Sequence, residues 1–343
     1  MNRLAGALIG LAAGAGALSV AAAASRRRWR LTGRVVLITG GSRGLGLAIA
    51  RRLVEEGARV AICARDPDTL ERARRDLIQR GGPVVAVAAD VTEREAVTRM
   101  VHEVRERLGP VDALINNAGT IIVGPLDVMD ESDFRAAMDV NFWGPLHAIM
   151  AVLPEMRRRR AGRIVNIASI GGKISVPHLL PYSASKFALV GLSEGLRAEL
   201  RGDGIEVSTI CPGLMRTGSP RHAWFKGRHR EEYAWFSISD SLPGISMDVD
   251  RAARQVVQAL RWGRAERVLS VPAKLGATAG ALFPGLTAEL MTMVDRYLPD
   301  ASPPVARIPV KGEASESEWA PSRLTQLGDR AARRQNQIET PGR

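Results

Sequence analysis

The chain has 343 residues, 45% hydrophobic and 24% charged, a globular balance that excludes wholesale disorder and fibrous repeats. Two cysteines, Cys63 and Cys211, cannot build a disulfide scaffold or a four-ligand zinc site, and both are expected as small buried hydrophobes. The net charge is +12, but the first 34 residues supply half of it through six arginines and no acid. The basicity therefore sits beside an apolar leader instead of along a groove, and nucleic acid is not an expected partner.

Leu4–Ala24 is a stretch of 21 uncharged residues, about the length that crosses a bilayer as a helix. Arg26, Arg27, Arg28 and Arg30 follow it, a flank that favours retention of the main body on the cytoplasmic side. The favoured expectation for residues 1–30 is a membrane anchor or membrane-lying helix. A cleaved signal peptide, suggested by the small residues Ala21–Ala24, and a disordered leader stay open.

From Gly33 to Pro272, short apolar runs alternate with helical ones. The strand-like runs are Val35–Thr39, Val60–Ala64, Val84–Ala88, Ala113–Asn116, Ile164–Ala168, Val207–Ile210 and Val268–Val271. The helical stretches include Leu45–Glu56, Asp68–Arg80, Glu93–Leu108 and Tyr182–Arg201. Continuous rather than alternating hydrophobicity suits strands buried on both faces. The pattern predicts an α/β fold, a doubly wound, Rossmann-like parallel sheet of about seven strands.

The first strand enters Thr39-Gly40-Gly41-Ser42-Arg43-Gly44-Leu45-Gly46 and then a helix. A glycine turn between strand and helix lets backbone N–H groups meet a pyrophosphate. The second strand ends Cys63-Ala64-Arg65-Asp66. Ala64 leaves empty the place where an NAD site wants a carboxylate, and Arg65 with Arg43 offers guanidinium groups to a 2′-phosphate, so NADP (NADPH) is the expected cofactor. Asn116-Asn117-Ala118-Gly119 follows the fourth strand, where backbone and amide groups can face that cofactor. Asn141 is a polar residue in an otherwise apolar helix, and Ser169 follows the strand Ile164–Ala168. Arg157–Arg160 closes a helix, where cations are favoured. Tyr182 and Lys186, four residues apart, share a helix face. There an ammonium, together with a positive nicotinamide ring, would favour the phenolate of a tyrosine acting as general acid or base.

Leu214–Ile245 holds Trp224, Phe225, Tyr233, Trp235 and Phe236, five of the chain's fifteen aromatics. With Leu179 and Leu180 they suggest an apolar wall for a lipophilic substrate. The alternative is an interfacial patch, with Arg221, Lys226, Arg228 and Arg230 beside it. Ala273–Tyr297 is apolar and broken by Gly276, Gly280, Pro284 and Gly285. A packed helix pair is favoured over a dimer contact or membrane-lying element, and residues 273–299 form a separate helical extension. From Asp300 to Arg343 the composition predicts a disordered tail.

Taken in order, Thr39-Gly40-x-x-x-Gly44-x-Gly46, Asp90-Val91, Asn116-Asn117-Ala118-Gly119, Asn141, Ser169, Tyr182-x-x-x-Lys186 and Pro212-Gly213 with Thr217 resemble the short-chain dehydrogenase/reductase family, of the compact single-domain type, over Gly33–Pro272. The resemblance implies an oxidoreductase interconverting a ketone or aldehyde and an alcohol, and the aromatic segment makes the expected substrate lipophilic. The resemblance also implies that Tyr182 exchanges the proton, Lys186 acidifies Tyr182 and holds the nicotinamide ribose, Ser169 orients the carbonyl, and Asn141 holds a water linking Lys186 to solvent. Asp90 and Val91 would meet the adenine, Asn117 and Gly119 the adjacent cofactor backbone, and Thr217 with Pro212 and Gly213 the carboxamide end. A homo-oligomer is compatible with this resemblance. A non-catalytic NADP-binding sensor or scaffold is the alternative on the same fold.

Overall fold

A computed structural model of the protein describes residues 29–301 and 307–338. The expected N-terminal apolar helix, Leu4–Ala24, lies outside the described residues. Among them, no helix is long and apolar enough to cross a membrane.

Strand β1 (Val35–Thr39) is buried along its whole length, as its uninterrupted apolar run requires. It leads into α1 (Gly44–Glu55), β2 (Arg59–Ala64), α2 (Pro67–Gln79), β3 (Val84–Ala88) and α3 (Arg94–Leu108). Asp66 caps α2 by accepting from the Thr69 N–H at 2.7 Å, with Pro67 in the first turn. Next come β4 (Ala113–Asn116), the short β5 (Ile122–Val123), α4 (Glu131–Met138) and α5 (Gly144–Arg159), the two helices joined by a π-helical turn, Asp139–Trp143. The second half contains β6 (Gly162–Ile167), α6 (Leu180–Leu200), β7 (Ile205–Cys211), β8 (Met215–Arg216), β9 (Trp224–Phe225) and α7 (His229–Ser241). It ends with β10 (Met247–Asp248), α8 (Val249–Trp262), β11 (Glu266–Val268), α9 (Val271–Leu282), α10 (Pro284–Asp295), β12 (Val310–Lys311) and α11 (Gln326–Arg334).

Seven strands make one parallel sheet in the order β11-β7-β6-β4-β1-β2-β3. On one face α1 packs against α8 over Val36, Ile38, Leu53 and Val256. On the other, α3 and α5 cover Leu37, Leu114, Val104 and Ile149. Each such fully buried aliphatic side chain contributes roughly 1.5–3 kcal/mol. The strand order reverses between β1 and β4, which pair Thr39 with Asn116 at their carboxyl ends. That switch point opens the crevice in which such sheets receive ligands.

Four expectations need correction. The last strand stops at Val268, because Ser270 caps α9 by accepting from the Ala273 N–H at 3.3 Å and Val271–Pro272 begin that helix. Helices α9 and α10 pack on each other and on Ile174 but bury little of their apolar surface. Only Ala273 is buried, while Leu275, Phe283, Leu286, Leu290 and Met293 stand exposed. The tail is folded across residues 307–338: β12 pairs antiparallel with β9, and α11 lies beside α7 and β8. Finally, Phe225, Tyr233 and Phe236 face neither solvent nor bilayer. They interlock edge to face in a small core with Val123, Leu179 and Ala320. In the same segment Lys226 is buried on Asp133 at 2.6 Å.

Candidate active site

The glycine loop is built by close backbone approach. A Cβ on Gly46 would sit 2.1 Å from the Gly40 carbonyl oxygen, so no other residue fits there. Asn117 locks the turn by donating to the Gly40 and Thr39 carbonyls at 2.9 and 3.2 Å. The Thr39 hydroxyl accepts from the Asn117 and Ala118 N–H groups at 3.0 and 3.2 Å. Both side chains hold the loop against β4.

Gly44, Leu45 and Gly46 carry the first N–H groups of α1, which have no partner inside the helix. Arg43 provides no side-chain cap, and no acidic residue occupies the first turn. A helix start with neither a side-chain cap nor an acidic residue, its Gly44 N–H met only by the Gln335 carbonyl at 3.0 Å, favours an anion. Arg43 and Arg65 add charge to the same place. Burial, then repulsion from Arg65, holds the Arg43 guanidinium below its ordinary pKa, and Arg65 is mostly exposed, 3.8 Å from Asp90. Two guanidiniums crowded together suit a second phosphate, so the loop fits a dinucleotide. Asp90 also accepts from the Thr92 N–H and hydroxyl at 3.0 and 2.9 Å, and the Val91 carbonyl faces a His147 ring nitrogen at 3.2 Å.

Ser169, Tyr182, Lys186 and Asn141 converge across the crevice. The Ser169 hydroxyl lies beside the Tyr182 ring, a Cβ on Gly171 falling 3.5 Å from the one and 3.2 Å from the other, and it accepts from the Gly171 N–H at 3.0 Å. Lys186 is buried, donates to the Ile167 carbonyl at 3.0 Å and lies 5.7 Å from the Tyr182 ring centre. Asn141 sits in the π-helical turn, donating to the Thr120 carbonyl and the Ser185 hydroxyl, both at 3.0 Å. A Cβ placed on Gly119 would touch Asn141 Oδ1 at 3.0 Å and Lys186 Nζ at 3.6 Å. The glycine leaves both groups free to border the same space. The Pro212 carbonyl accepts from the Ile170 N–H at 2.7 Å, Gly213 abuts Ser270 and Ala273, and buried Thr217 accepts from the Ser219 N–H at 3.1 Å.

The electrostatics depart from expectation. Burial pushes the Tyr182 phenol up to about 12, against the lowering pull of Ser169, and burial pushes the Lys186 ammonium down to about 8. Within the chain alone, desolvation outweighs an ammonium 5.7 Å from the ring. Burial likewise raises the Cys63 and Cys211 thiols to about 12, leaving both inert.

Three features escaped the sequence. Asp240, on α7, is buried, accepts from the Met215 N–H and Ser219 hydroxyl, and has its carboxyl pushed up to about 7 by burial. Its charge also bears on Tyr182. His178, at φ 61°, joins fully buried Glu232 at 2.7 Å and lies 3.7 Å from Asp295, tying α7 and α10 to the segment before Tyr182. Residues 335–337 lie on the glycine loop itself, where the Gly44 N–H donates to the Gln335 carbonyl at 3.0 Å. None belongs to a short motif, and each depends on contacts between distant segments.

Comparisons with known proteins agree with this geometry. The ketoacyl reductase HetN of a Nostoc species is 38% identical over 185 residues, 54% of this chain and 64% of its own length. The matched region therefore spans less than two-thirds of that relative. Among solved structures, a gluconate 5-dehydrogenase from Burkholderia cenocepacia, in complex with NADP and tartrate, is 30% identical with a TM-score of 0.64, covering 72% of this chain and 98% of its own. An actinorhodin polyketide ketoreductase with NADPH is 32% identical with a TM-score of 0.63, covering 71% and 98%. The short chain dehydrogenase profile matches residues 34–224, more than half of the chain. The chain belongs to the short-chain dehydrogenase family of nicotinamide-dependent oxidoreductases.

Proposed function

We propose that this enzyme reduces a lipophilic ketone or aldehyde to the alcohol with NADPH, and runs the reverse oxidation when the ratios favour it. The observation that carries the reading is the meeting of Ser169 and Tyr182 across the crevice from a doubly basic glycine loop with no acidic residue at its helix start. The nicotinamide, when bound, supplies or accepts the hydride at the carbonyl carbon. The chain's residues do the rest. Ser169 and Tyr182 hold the carbonyl oxygen from two sides, and Tyr182 passes its proton to that oxygen as negative charge builds there. A phenol held near 12 is protonated at neutral pH, which is the state a reduction starts from. Asn141 and Lys186 provide the route by which Tyr182 is reprotonated. Arg43 and Arg65 select the phosphorylated nucleotide.

The apolar preference is supported by a cavity of about 730 Å³ between α9–α10 and the segment after β6, a size that suits a drug-sized or lipid-like molecule. Ile174, Leu180, Phe187 and Met291 line it, and Leu180 and Ile174 belong to the segments that carry Tyr182 and Ser169. The NADP-bound and ketoreductase relatives point the same way. A panel of hydrophobic ketones and alcohols, followed by NADPH absorbance with detergent present, tests the proposal. Tight NADPH binding without turnover of any panel member would move the chain to the non-catalytic nucleotide binders.

A further inference from the structure

Resting on the nucleotide reading above, we infer that residues 331–337 form a strap that closes over the diphosphate of the bound cofactor, with Gln337 as a cofactor ligand. The strap is fastened at both sides of the crevice. Toward the adenosine side, Asn336 donates to the Ser42 and Thr69 carbonyls at 2.9 and 3.0 Å, and Arg72 donates to its side-chain oxygen at 3.3 Å. Arg51 donates to the Arg334 carbonyl and the Gln335 side chain, both at 3.0 Å. Toward the nicotinamide side, the Gln337 carbonyl meets a His222 ring nitrogen at 3.2 Å. Ala332 packs so closely on Gly218 that a Cβ there would lie 2.4 Å from its own.

Gln337 lies in the middle of this span. Its side chain is more than nine-tenths buried, and its Nε2 is 2.9 Å from where a Cβ on Gly44 would stand, with Thr217 just beyond. Its Oε1 is buried with no hydrogen-bond partner among the described residues. A buried amide oxygen left unpaired is unfavourable, so the structure holds it there at a loss unless a ligand completes it. A dinucleotide on the start of α1 takes the Gly44 N–H from the Gln335 carbonyl that meets it here, and offers a ribose hydroxyl as donor to the Gln337 amide oxygen. The bonds that fasten the strap also mean that the nucleotide cannot leave without lifting it. The strap therefore acts on cofactor residence and leaves the chemistry at Tyr182 alone.

Stopped-flow displacement of NADPH, followed by its fluorescence, tests this on the full chain, on Gln337→Ala, on Asn336→Gly (which keeps the positive φ and removes the side-chain fastening) and on a chain ending at Thr325. We expect dissociation at least tenfold faster in the shortened chain and about fivefold faster in each point variant, with association no slower. NADPH should also slow tryptic cleavage at Arg333 and Arg334 in the unaltered chain. Unchanged dissociation in the point variants would overturn the strap, as would faster association at constant dissociation, which would make the segment a plug. If the shortened chain does not fold, the point variants decide. Failure of the unaltered chain to bind either NADPH or NADH would sink the nucleotide reading, whereas binding with strap-independent release would sink the strap alone.

Discussion

At Tyr182 two opposing influences meet on one hydroxyl. Burial raises its pKa, the Ser169 hydroxyl lowers it, and the Asp240 carboxylate raises it further. Tyr182→Phe keeps the ring packing and removes the exchangeable proton. Turnover should fall by about 10³-fold while NADPH affinity, read by fluorescence titration, stays within about twofold; undiminished turnover would remove Tyr182 as the proton donor. Asp240 supplies a second test. With its carboxyl raised to about 7 by burial, the folded chain holds a proton between about pH 4 and 7 that the unfolded chain has lost, so this group's contribution to stability is present at low pH and disappears as pH rises through 7. Asp240→Asn should therefore gain on the unaltered protein by a few kcal/mol between pH 5 and pH 8 in urea titrations. A stability difference constant across that range would refute the assignment. Residues in contiguous motifs were visible beforehand because their spacing encodes a shared turn or face. Asp240 was not, since nothing around position 240 announces that Met215 and Ser219 will close over it.

At the level of elements, the start of α1 carries the proposed nucleotide choice. Arg43 and Arg65 come from two different strand ends, and the parallel pairing of β1 with β2 brings those ends side by side. Removing both, Arg43→Ala with Arg65→Ala, should weaken NADPH by at least about 100-fold, at about 1.5–3 kcal/mol per charged hydrogen bond, and NADH by less than threefold. Equal losses in calorimetric titrations would show that neither arginine meets the 2′-phosphate. The helices α9 and α10 carry the opposite lesson. Their apolar content suggested burial, yet Leu275 is 67% and Leu290 48% exposed, because only the side bearing Gly276 and Gly280 touches Ile174. Leu275→Glu and Leu290→Glu should leave the thermal midpoint within the change expected for about 0.5 kcal/mol; a large drop would mean these side chains are covered in the folded state.

Across the whole molecule, the parallel sheet and its switch point were legible because strands buried on both faces leave uninterrupted apolar runs. The aromatic segment was only half legible: composition signalled an apolar unit, but Phe225, Tyr233 and Phe236 spend their surface on one another. The last segment was illegible for a physical reason. Its polar residues bury little by hydrophobicity and hold by hydrogen bonds to a loop formed from sequence 294 positions away. That distance has a consequence in time. Synthesis proceeds at about 5–20 residues per second, so Ser42 and Gly44 emerge roughly 15–60 s before Asn336 can reach them. For that interval a newborn chain exposes an uncovered anion seat, open to any passing phosphate compound, and only the late arrival of its polar clasp makes the seat selective about how long a guest may stay.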